Sequence, residues 1–374
     1  MMNPFLTGLL ELLKGFQGLT PEKMLMILAG LILIYLAIAK EYEPVLLLPI
    51  GFGCIVTNLP FSALTGEHGF LTLLYQTGVV NELFPLLIFI GVGAMIDFSP
   101  LLSKPSLLVF GAAGQFGIFG TLILATILGY PLPEAASIGV IGAIDGPTSI
   151  YVAAKLAPHL LAPIAVAAYS YMSLIPIIQP PLMKLITNRS ERATIMPYVD
   201  RPVPRTTRVI FPIGVTILVS ILVPDAAPLI SMLMLGNLLR ESGVVERLNQ
   251  SAQNEIINIS TLFLGLAIGS TMKAESFIRL DTLIVLILGL LAFGLDTFMG
   301  LLFGKLAYWL SRGKINPLIG AAGISAFPMA GRLAARMANE ENPHNYIIMQ
   351  AMATNTAGQI ASVIAGGVLL ALVR

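Results

Sequence analysis

Three runs in this chain, residues 24–39, 283–293 and 360–373, carry no charged side chain. A helix needs about 20 mostly apolar residues to cross the hydrocarbon core of a bilayer. Runs of this length and character therefore commit the chain to a membrane. Across its 374 residues, 56 % are hydrophobic and only 11 % charged, against about a quarter charged in soluble proteins. A soluble enzyme, a disordered chain and a disulfide scaffold are all excluded. Strands of a membrane barrel would alternate apolar and polar residues, which these runs do not, so the expectation is an all-α polytopic membrane protein. The 35 glycines and 25 prolines fit that class, because packed membrane helices can re-satisfy backbone groups freed by a break.

The net charge of +1 gives no bulk attraction for nucleic acid, and Cys54, the single cysteine, has no partner for an intrachain disulfide. Residues 1–20 are apolar but hold Glu11 and Lys14 without a basic leader. They read as an amphipathic interfacial segment rather than a signal peptide.

Hydropathy marks segments at about 22–40, 44–60, 83–97, 106–130, 136–155, 160–187, 207–224, 227–240, 257–272, 281–310, 316–338 and 344–373. The longest polar stretch lies between the sixth and seventh. It holds Arg189, Arg192, Arg201 and Arg205, flanked by Lys184 and Arg208, against Glu191 and Asp200. Excess basic charge places it on the cytoplasmic side. The expected organisation is a first transmembrane repeat at 21–187, a basic connecting loop at 188–206 and a second repeat at 207–374.

Short motifs recur in the same order in the two halves. Gly78-Val79-Val80-Asn81-Glu82-Leu83 returns as Gly243-Val244-Val245-Glu246-Arg247-Leu248, and Phe89-Ile90-Gly91 as Phe263-Leu264-Gly265. Ile141-Gly142-Ala143 returns as Ile319-Gly320-Ala321, each soon followed by a proline, and Pro158-His159 as Pro343-His344. Ordered matches of this kind indicate an internal repeat, and repeats with interrupted helices are a mark of secondary transporters. The interrupted pair is residues 139–149 and 316–328, where Gly and Pro cannot sustain a regular helix. The fold expected is two inverted structural repeats with a broken helix in each, transporter-like. Inversion requires an odd number of crossings per half. Whether the broken segments cross or re-enter decides that number and the side of the amino terminus.

Asp145, inside the first break, is the sharpest chemical signal. A carboxylate at mid-bilayer costs about 2.5–3.5 kcal/mol on insertion scales and must face a cavity, a cation or a proton. It could equally cap the half-helix that starts at Pro147, and the two roles can coexist. Asn316, Ser325 and Asn355 supply neutral oxygens in the second half, with Thr354 and Thr356 beside Asn355. Tyr169-Ser170-Tyr171-Met172-Ser173 occupies the matching place in the first half. These side chains could instead be polar glue between helices. One carboxylate with neutral oxygens suits Na⁺, whereas a divalent transition metal would want His or Cys. Arg332, just past the second break, could grip a carboxylate with its planar fork, while Arg336 reads as snorkelling to the surface. Asp97 reads as a helix-end cap. Asp296 is a deep carboxylate with no partner visible in the sequence. Gly304-Lys305 lacks the hydroxyl residue and spacing of a phosphate-binding loop.

The motifs 91–98, 142–150, 235–244, 316–332 and 349–358 closely resemble one family, the β subunits of sodium-translocating, biotin-dependent decarboxylases, over nearly the whole chain. Such subunits belong to oxaloacetate, methylmalonyl-CoA, glutaconyl-CoA and malonate decarboxylase complexes. The resemblance implies a pump subunit of a bacterial cytoplasmic membrane. It would decarboxylate carboxybiotin delivered by a biotin carrier subunit, consume a proton, and export Na⁺ in step. A carboxyltransferase α subunit, a small membrane γ/δ subunit and further copies of the chain would be its other partners. The family's sodium-binding Asp falls on Asp145 and its functional Tyr on Tyr171. Its later functional residues fall on Asn316, Gly320, Ser325 and Arg332, and the Asn of its last functional helix falls on Asn355. On that resemblance Asp145, Tyr171 and Arg332 are the expected catalytic residues. Arg332 and Ser325 would meet carboxybiotin, and Asp145, Asn316, Gly320, Ser325 and Asn355 would hold Na⁺. Asp296 is outside the pattern. From the residues alone, a stand-alone Na⁺-coupled carrier of a small organic anion remains the competing reading. A membrane scaffold would leave Asp145 and the paired breaks without a reason.

Overall fold

The computed structural model of the chain describes residues 18–60, 63–197 and 202–373, the side chain of Ser173 apart. The expected interfacial segment falls almost wholly outside the described residues, as do Asp200 and Arg201 of the basic loop. Helices dominate, and among the described residues there is no strand, as the unalternating apolar runs require. The helices needed below are α1 (Pro21–Ala39), α2 (Pro44–Asn58), α3 (Leu83–Met95), α4 (Leu108–Ala113), α5 (Phe116–Ile127), α6 (Leu132–Gly139) and α7 (Gly146–Leu156). They are followed by α8 (Leu161–Ile186), α9 (Arg205–Leu222), α10 (Ala227–Ser242), α11 (Ile257–Thr271), α12 (Leu280–Leu310), α13 (Met329–Glu341) and α14 (Ile348–Val373).

Among the described residues, five helical stretches are long and apolar enough to cross a membrane: Pro21–Ala39, Pro105–Ile127, Arg205–Leu222, Leu280–Leu310 and Ile348–Val373. The count rises to seven if each of two bent pairs is one span. It falls short of the twelve segments marked by hydropathy because several of those are short helices. The segment expected at 83–97 is a helix of 13 residues, and the one at 227–240 a helix of 16. The bend in α8 is 64° between Pro158–Met172 and Leu174–Ile186. Its cause is Pro176, whose ring displaces the carbonyl of Met172 and supplies no N–H. On α9 only Pro212 and Val219 are buried, so its apolar surface is left for lipid.

The chain forms two compact units, and each draws on both sides of the basic loop. One is made of residues 1–84 and 258–283, the other of 85–257 and 284–374. In the first unit, Thr20 caps α1 by accepting the Lys23 N–H at 3.3 Å, with Pro21 at the first helical position, where a missing N–H costs nothing. Helices α1 and α2 cross at Gly30 and Gly51, where a Cβ on either would come within 2.7 Å of the other's carbonyl oxygen. Small residues at a membrane crossing let backbones approach this closely. Asn58 pins α2 to the end of α11. Its Nδ2 donates to the Cys54 and Met272 carbonyls, both at 2.8 Å, and its Oδ1 accepts the Ala274 N–H at 3.0 Å. In the second unit α3 and α10 cross at Gly93 and Gly236, each glycine lying against the other helix's backbone. Asn237 seals the crossing with a 2.9 Å bond to the Ile96 carbonyl.

Asn58→Leu would strand the Ala274 N–H and the Met272 carbonyl. Such buried groups cost roughly 1–3 kcal/mol when unpaired. Thermal unfolding of the purified protein in detergent should show a clear drop in Tm, and an unchanged Tm would refute the pin.

Candidate functional site

Both expected breaks are present, and the second unit holds both. In the first, α6 tightens into a 3₁₀ turn at Val140–Ala143, Ile144 adopts φ +51°, and Asp145 is extended before α7 begins at Gly146. A β-branched residue in the left-handed region is costly, and strain of this kind, about 1–3 kcal/mol, persists only where the surroundings over-determine it. The surroundings here are hydrogen bonds. Asp145 caps α7, its Oδ1 accepting the Thr148 N–H at 3.4 Å. Its Oδ2 accepts from Thr148 Oγ1 at 2.7 Å, Gln359 Nε2 at 2.8 Å and Ser362 Oγ at 2.9 Å. Gln359 and Ser362 belong to α14, so a side chain of the first break is tied to the last helix. The carboxylate is buried, with 5 % of its residue surface exposed. Gly146 is needed beside it, because a Cβ there would press on the ring of Tyr169.

The second break runs from Ala322 to Pro328, between the short helix Leu318–Ala321 and α13. Its backbone meets the first break directly, the Ser325 N–H donating to the Ala143 carbonyl at 3.1 Å. Ser325 Oγ donates to the Gly358 carbonyl of α14 at 3.0 Å. Four successive carbonyls, from the end of the short helix into this segment, receive side-chain amides from three helical regions. Gln179 of α8 donates to Ala321 at 3.1 Å, and Gln115, between α4 and α5, to Gly323 at 3.2 Å. Asn355 of α14 donates to Ala322 at 3.2 Å and Ile324 at 2.6 Å. A carbonyl only accepts, so each amide must present its NH₂ group there and its oxygen elsewhere. The three oxygens, Gln179 Oε1, Gln115 Oε1 and Asn355 Oδ1, are buried and have no hydrogen-bond partner among the described residues. Carbonyls 321 to 324 thus each accept a side-chain amide. The unpaired hard oxygens here are those of the amides.

Asn355, Gly358, Gln359 and Ser362 recur at intervals of three and four, the spacing of one helical face. Helix α14 is therefore the post to which both breaks are fastened. Sequence reasoning reached Asn355 and Ser325 but missed Gln359, Ser362, Thr148, Gln115 and Gln179. The phase of Gln359 and Ser362 with Asn355 was the available signal.

The other expected residues have different surroundings. Asn316 is fully buried, but its Nδ2 donates to the carbonyls of Arg192 at 2.8 Å and Thr194 at 2.9 Å, and its Oδ1 accepts the Leu318 N–H at 3.0 Å. Those bonds join it to the basic loop rather than to Asp145. Gly320 is packed backbone to backbone on Gly300 of α12, a close approach that a side chain would prevent. Tyr171 donates to the Leu286 carbonyl at 2.5 Å and lies by Gly289 and Ile141. Arg332, one turn into α13, is exposed, and among the described residues it makes no ion pair or side-chain hydrogen bond. Arg336 instead pairs with Glu340 at 3.0 Å. Asp97 accepts the Ser99 N–H at 2.8 Å, a local cap. Among the described residues no three His, Cys, Asp or Glu side chains gather. Asp145 with the hydroxyls of Thr148 and Ser362, and the unpaired amide oxygen of Asn355 further along the same helix as Ser362, are hard oxygens of the kind an alkali cation takes.

The basic loop is a strap on the second break. Asn188 and Glu191 form a reciprocal capping box, with both bonds at 2.8 Å. Arg192 and Arg189 converge on Glu341 at the end of α13, at 2.5 and 3.0 Å. Asn345 adds a 3.1 Å bond to the Arg192 carbonyl.

The whole chain matches known proteins. The family model described as the Na⁺-transporting oxaloacetate decarboxylase beta subunit matches residues 22–373. The methylmalonyl-CoA decarboxylase subunit beta of Veillonella parvula is 51 % identical over 359 residues, covering 96 % of this chain and 95 % of that one. The glutaconyl-CoA decarboxylase subunit beta of Acidaminococcus fermentans is 49 % identical over 374 residues, covering 100 % and 99 %. The oxaloacetate decarboxylase beta chain 2 of Salmonella typhi is 43 % identical over 430 residues, covering 99 % and 98 %.

Hydrogen bonding to Arg192 holds the Glu341 carboxyl below its ordinary value of 4.5. A depressed carboxyl stabilises the fold fully above that ordinary value, and the contribution is lost as the pH falls through the depressed one. Glu341→Gln should therefore lower Tm at neutral pH and flatten its decline on acidification. A variant whose Tm follows the wild-type curve at every pH would count against the strap.

Proposed function

The chain belongs to the family of β subunits of Na⁺-transporting oxaloacetate decarboxylases, and from that premise we propose that it is the membrane pump subunit of a biotin-dependent decarboxylase complex. In this reading a biotin carrier subunit delivers carboxybiotin. The chain decarboxylates it with uptake of a proton, and Na⁺ leaves the cell across a bacterial cytoplasmic membrane. The carboxyl group would come from a carboxyltransferase α subunit, with a small membrane γ/δ subunit and further copies of the chain completing the assembly. The two acyl-CoA decarboxylase relatives share more of this sequence, 51 and 49 %, than the oxaloacetate relative at 43 %. That difference favours an acyl-CoA as the parent substrate on the partner subunit.

One observation carries the sodium site: Asp145 is bonded to Gln359 and Ser362 on the helix that also holds Asn355 against the second break. Asp145 supplies the charge that binds Na⁺. Asn355 Oδ1, unpaired and buried, supplies a neutral oxygen. The hydroxyls of Thr148 and Ser362 can turn a lone pair toward the ion, since a hydroxyl both donates and accepts. Ser325 joins the two breaks and so transmits a shift of one to the other. Asn316 and Gly320 act on this site through the placement of the second break, Asn316 by anchoring it to the loop and Gly320 by allowing its close approach to α12. Arg332, exposed and without an ion pair among the described residues, is suited to grip the carboxylate of carboxybiotin. Tyr171 is the candidate for passing the proton, its hydroxyl now resting on the Leu286 carbonyl. Moving one charge against 100 mV costs about 2.3 kcal/mol, a load that loss of CO₂ can drive without ATP. The breaks fit a stand-alone carrier equally well, but the β-subunit names of the relatives favour a complex. The expected halves, 21–187 and 207–374 about the loop, remain our proposal for the repeat.

The test is reconstitution of the chain in liposomes with carboxylated biotin carrier, following radioactive sodium. Asp145→Asn should abolish sodium uptake and sodium-stimulated decarboxylation while the protein still folds; pumping at the wild-type rate would move the site elsewhere. Arg332→Lys keeps the charge but loses the fork, removing a charged hydrogen bond worth about 1.5–3 kcal/mol. It should slow carboxybiotin turnover about 10- to 100-fold and leave sodium binding within about twofold. An equal loss of both would refute a carboxylate-binding role.

A further inference from the structure

Asp296 sits at the middle of the 31-residue apolar helix α12 and is fully buried. The chain interrupts its helix at Gly114 and Gln115, between α4 and α5, so the first N–H groups of α5 lack helical acceptors. Asp296 Oδ1 accepts one of them, from Gly117. Its other oxygen, Oδ2, has no hydrogen-bond partner among the described residues. That oxygen faces the first break, for a Cβ built at Gly142 would lie 2.9 Å from Oδ2 and 3.1 Å from the Ala292 methyl. The other atoms closest to that Cβ are the methyl of the fully buried Ala292 and the backbone nitrogen of Ile118, at 3.3 Å.

The contrast with Asp145 is the key. Asp145 has four donors on its two oxygens, three of them from side chains, whereas Asp296 meets only the backbone N–H groups of Gly117 and Ile118 and, among the described residues, has no ion pair. A bare charge with so few donors is not sustained at mid-bilayer, and among the described residues no group of three His, Cys, Asp or Glu side chains gathers there to hold a metal cation. A neutral Asn or Ser could cap Gly117 equally well. A carboxyl adds one thing, an exchangeable proton. We propose that Asp296 is a proton-holding site of the pump, which keeps a proton on Oδ2 against Gly142 and releases it when the first break moves. On release the Oδ2–H bond breaks and its electron pair stays on the carboxylate; the proton passes to water entering beside the break, and nothing is oxidised or reduced. The inference rests on the proposed decarboxylation, which consumes a proton. Asp296 and Asp145 are attached to one segment, at Gly142 and three residues further on, so a single displacement of that segment changes the surroundings of both.

Few other groups can titrate nearby. Helix α5 has no ionisable side chain, and residues 135–144 have none before Asp145. Tyr171 of α8 reaches α12 at Gly289. Along α12 itself the next charge is Lys305, which is held by the Ile186 carbonyl at 2.9 Å and by Glu191 at 3.5 Å.

The experiment is infrared difference spectroscopy on the full chain in liposomes, comparing sodium-free with sodium-loaded states in H₂O and D₂O. A protonated carboxyl gives a C=O stretching band that shifts in D₂O. Wild type should show this band. Asp296→Asn, which still offers an acceptor to Gly117, should lose it, while Asp145→Asn keeps it. Asp296→Asn should also take up fewer protons per CO₂ released, read with a pH dye, and bind radioactive sodium within about twofold of wild type. If the variant does not fold, wild type with ¹³C-labelled aspartate decides, because the band must then move with the label. Absence of the band in wild type, or its persistence in Asp296→Asn, overturns the proposal. Failure of the sodium-site reading would look different: wild type would bind no sodium, whatever the band does.

Discussion

A carboxylate buried in a membrane protein must be given donors or a counter-charge, and Asp145 obtains its donors from the far end of the sequence. Three bonds on Oδ2, from Thr148, Gln359 and Ser362, hold the first break onto α14. Without them Ile144 has no reason to remain in the left-handed region, since a β-branched residue leaves that conformation readily. The rest of the second unit follows from this attachment. The strand-like turn at Asp145 exposes the Ala143 carbonyl, which then pairs with the Ser325 N–H of the second break.

The second break solves its own backbone problem with amides. Gln179, Asn355 and Gln115 cover carbonyls 321 to 324, and in doing so they turn three side-chain oxygens away from protein donors. Buried networks of this kind are high-stakes. When fully satisfied they fix one arrangement, and each polar group left unpaired in them is costly. A break stabilised by exchangeable side-chain bonds can also shift by trading partners, which is how small displacements become two-state switches. Gly358 and Gly320 permit the arrangement by letting backbone lie on backbone at the second break and at α12.

The arginine-rich loop makes specific contacts of its own. Arg192 is buried and bound to Glu341, and Asn316 and Asn345 both donate to its carbonyl. Bonds from residues before and after the second break thus end on one loop. Asn316 anchors the backbone just before the short helix that leads into the second break, accepting the Leu318 N–H.

Much was legible in the residues themselves. Long uncharged runs dictated helices, because a backbone in lipid must pair with itself. Gly142 and Pro147 marked the first break and Pro317, Gly323 and Pro328 the second, because φ and N–H restrictions act locally. Asp145 announced itself as a lone carboxylate among apolar neighbours. What tertiary structure alone decided is who meets whom. Gln359 and Ser362 lie more than 200 positions from Asp145, and no local rule pairs them. Asn316 and Asn355 are the same residue type in apolar surroundings, yet one fastens a loop and the other keeps a bare oxygen at the break. Asp296 reads as an isolated acid until Gly117 and Gly142 are brought against it. Local backbone preferences are written residue by residue, whereas the partners of a buried polar group are set by which helices cross, and that is a property of the packed whole.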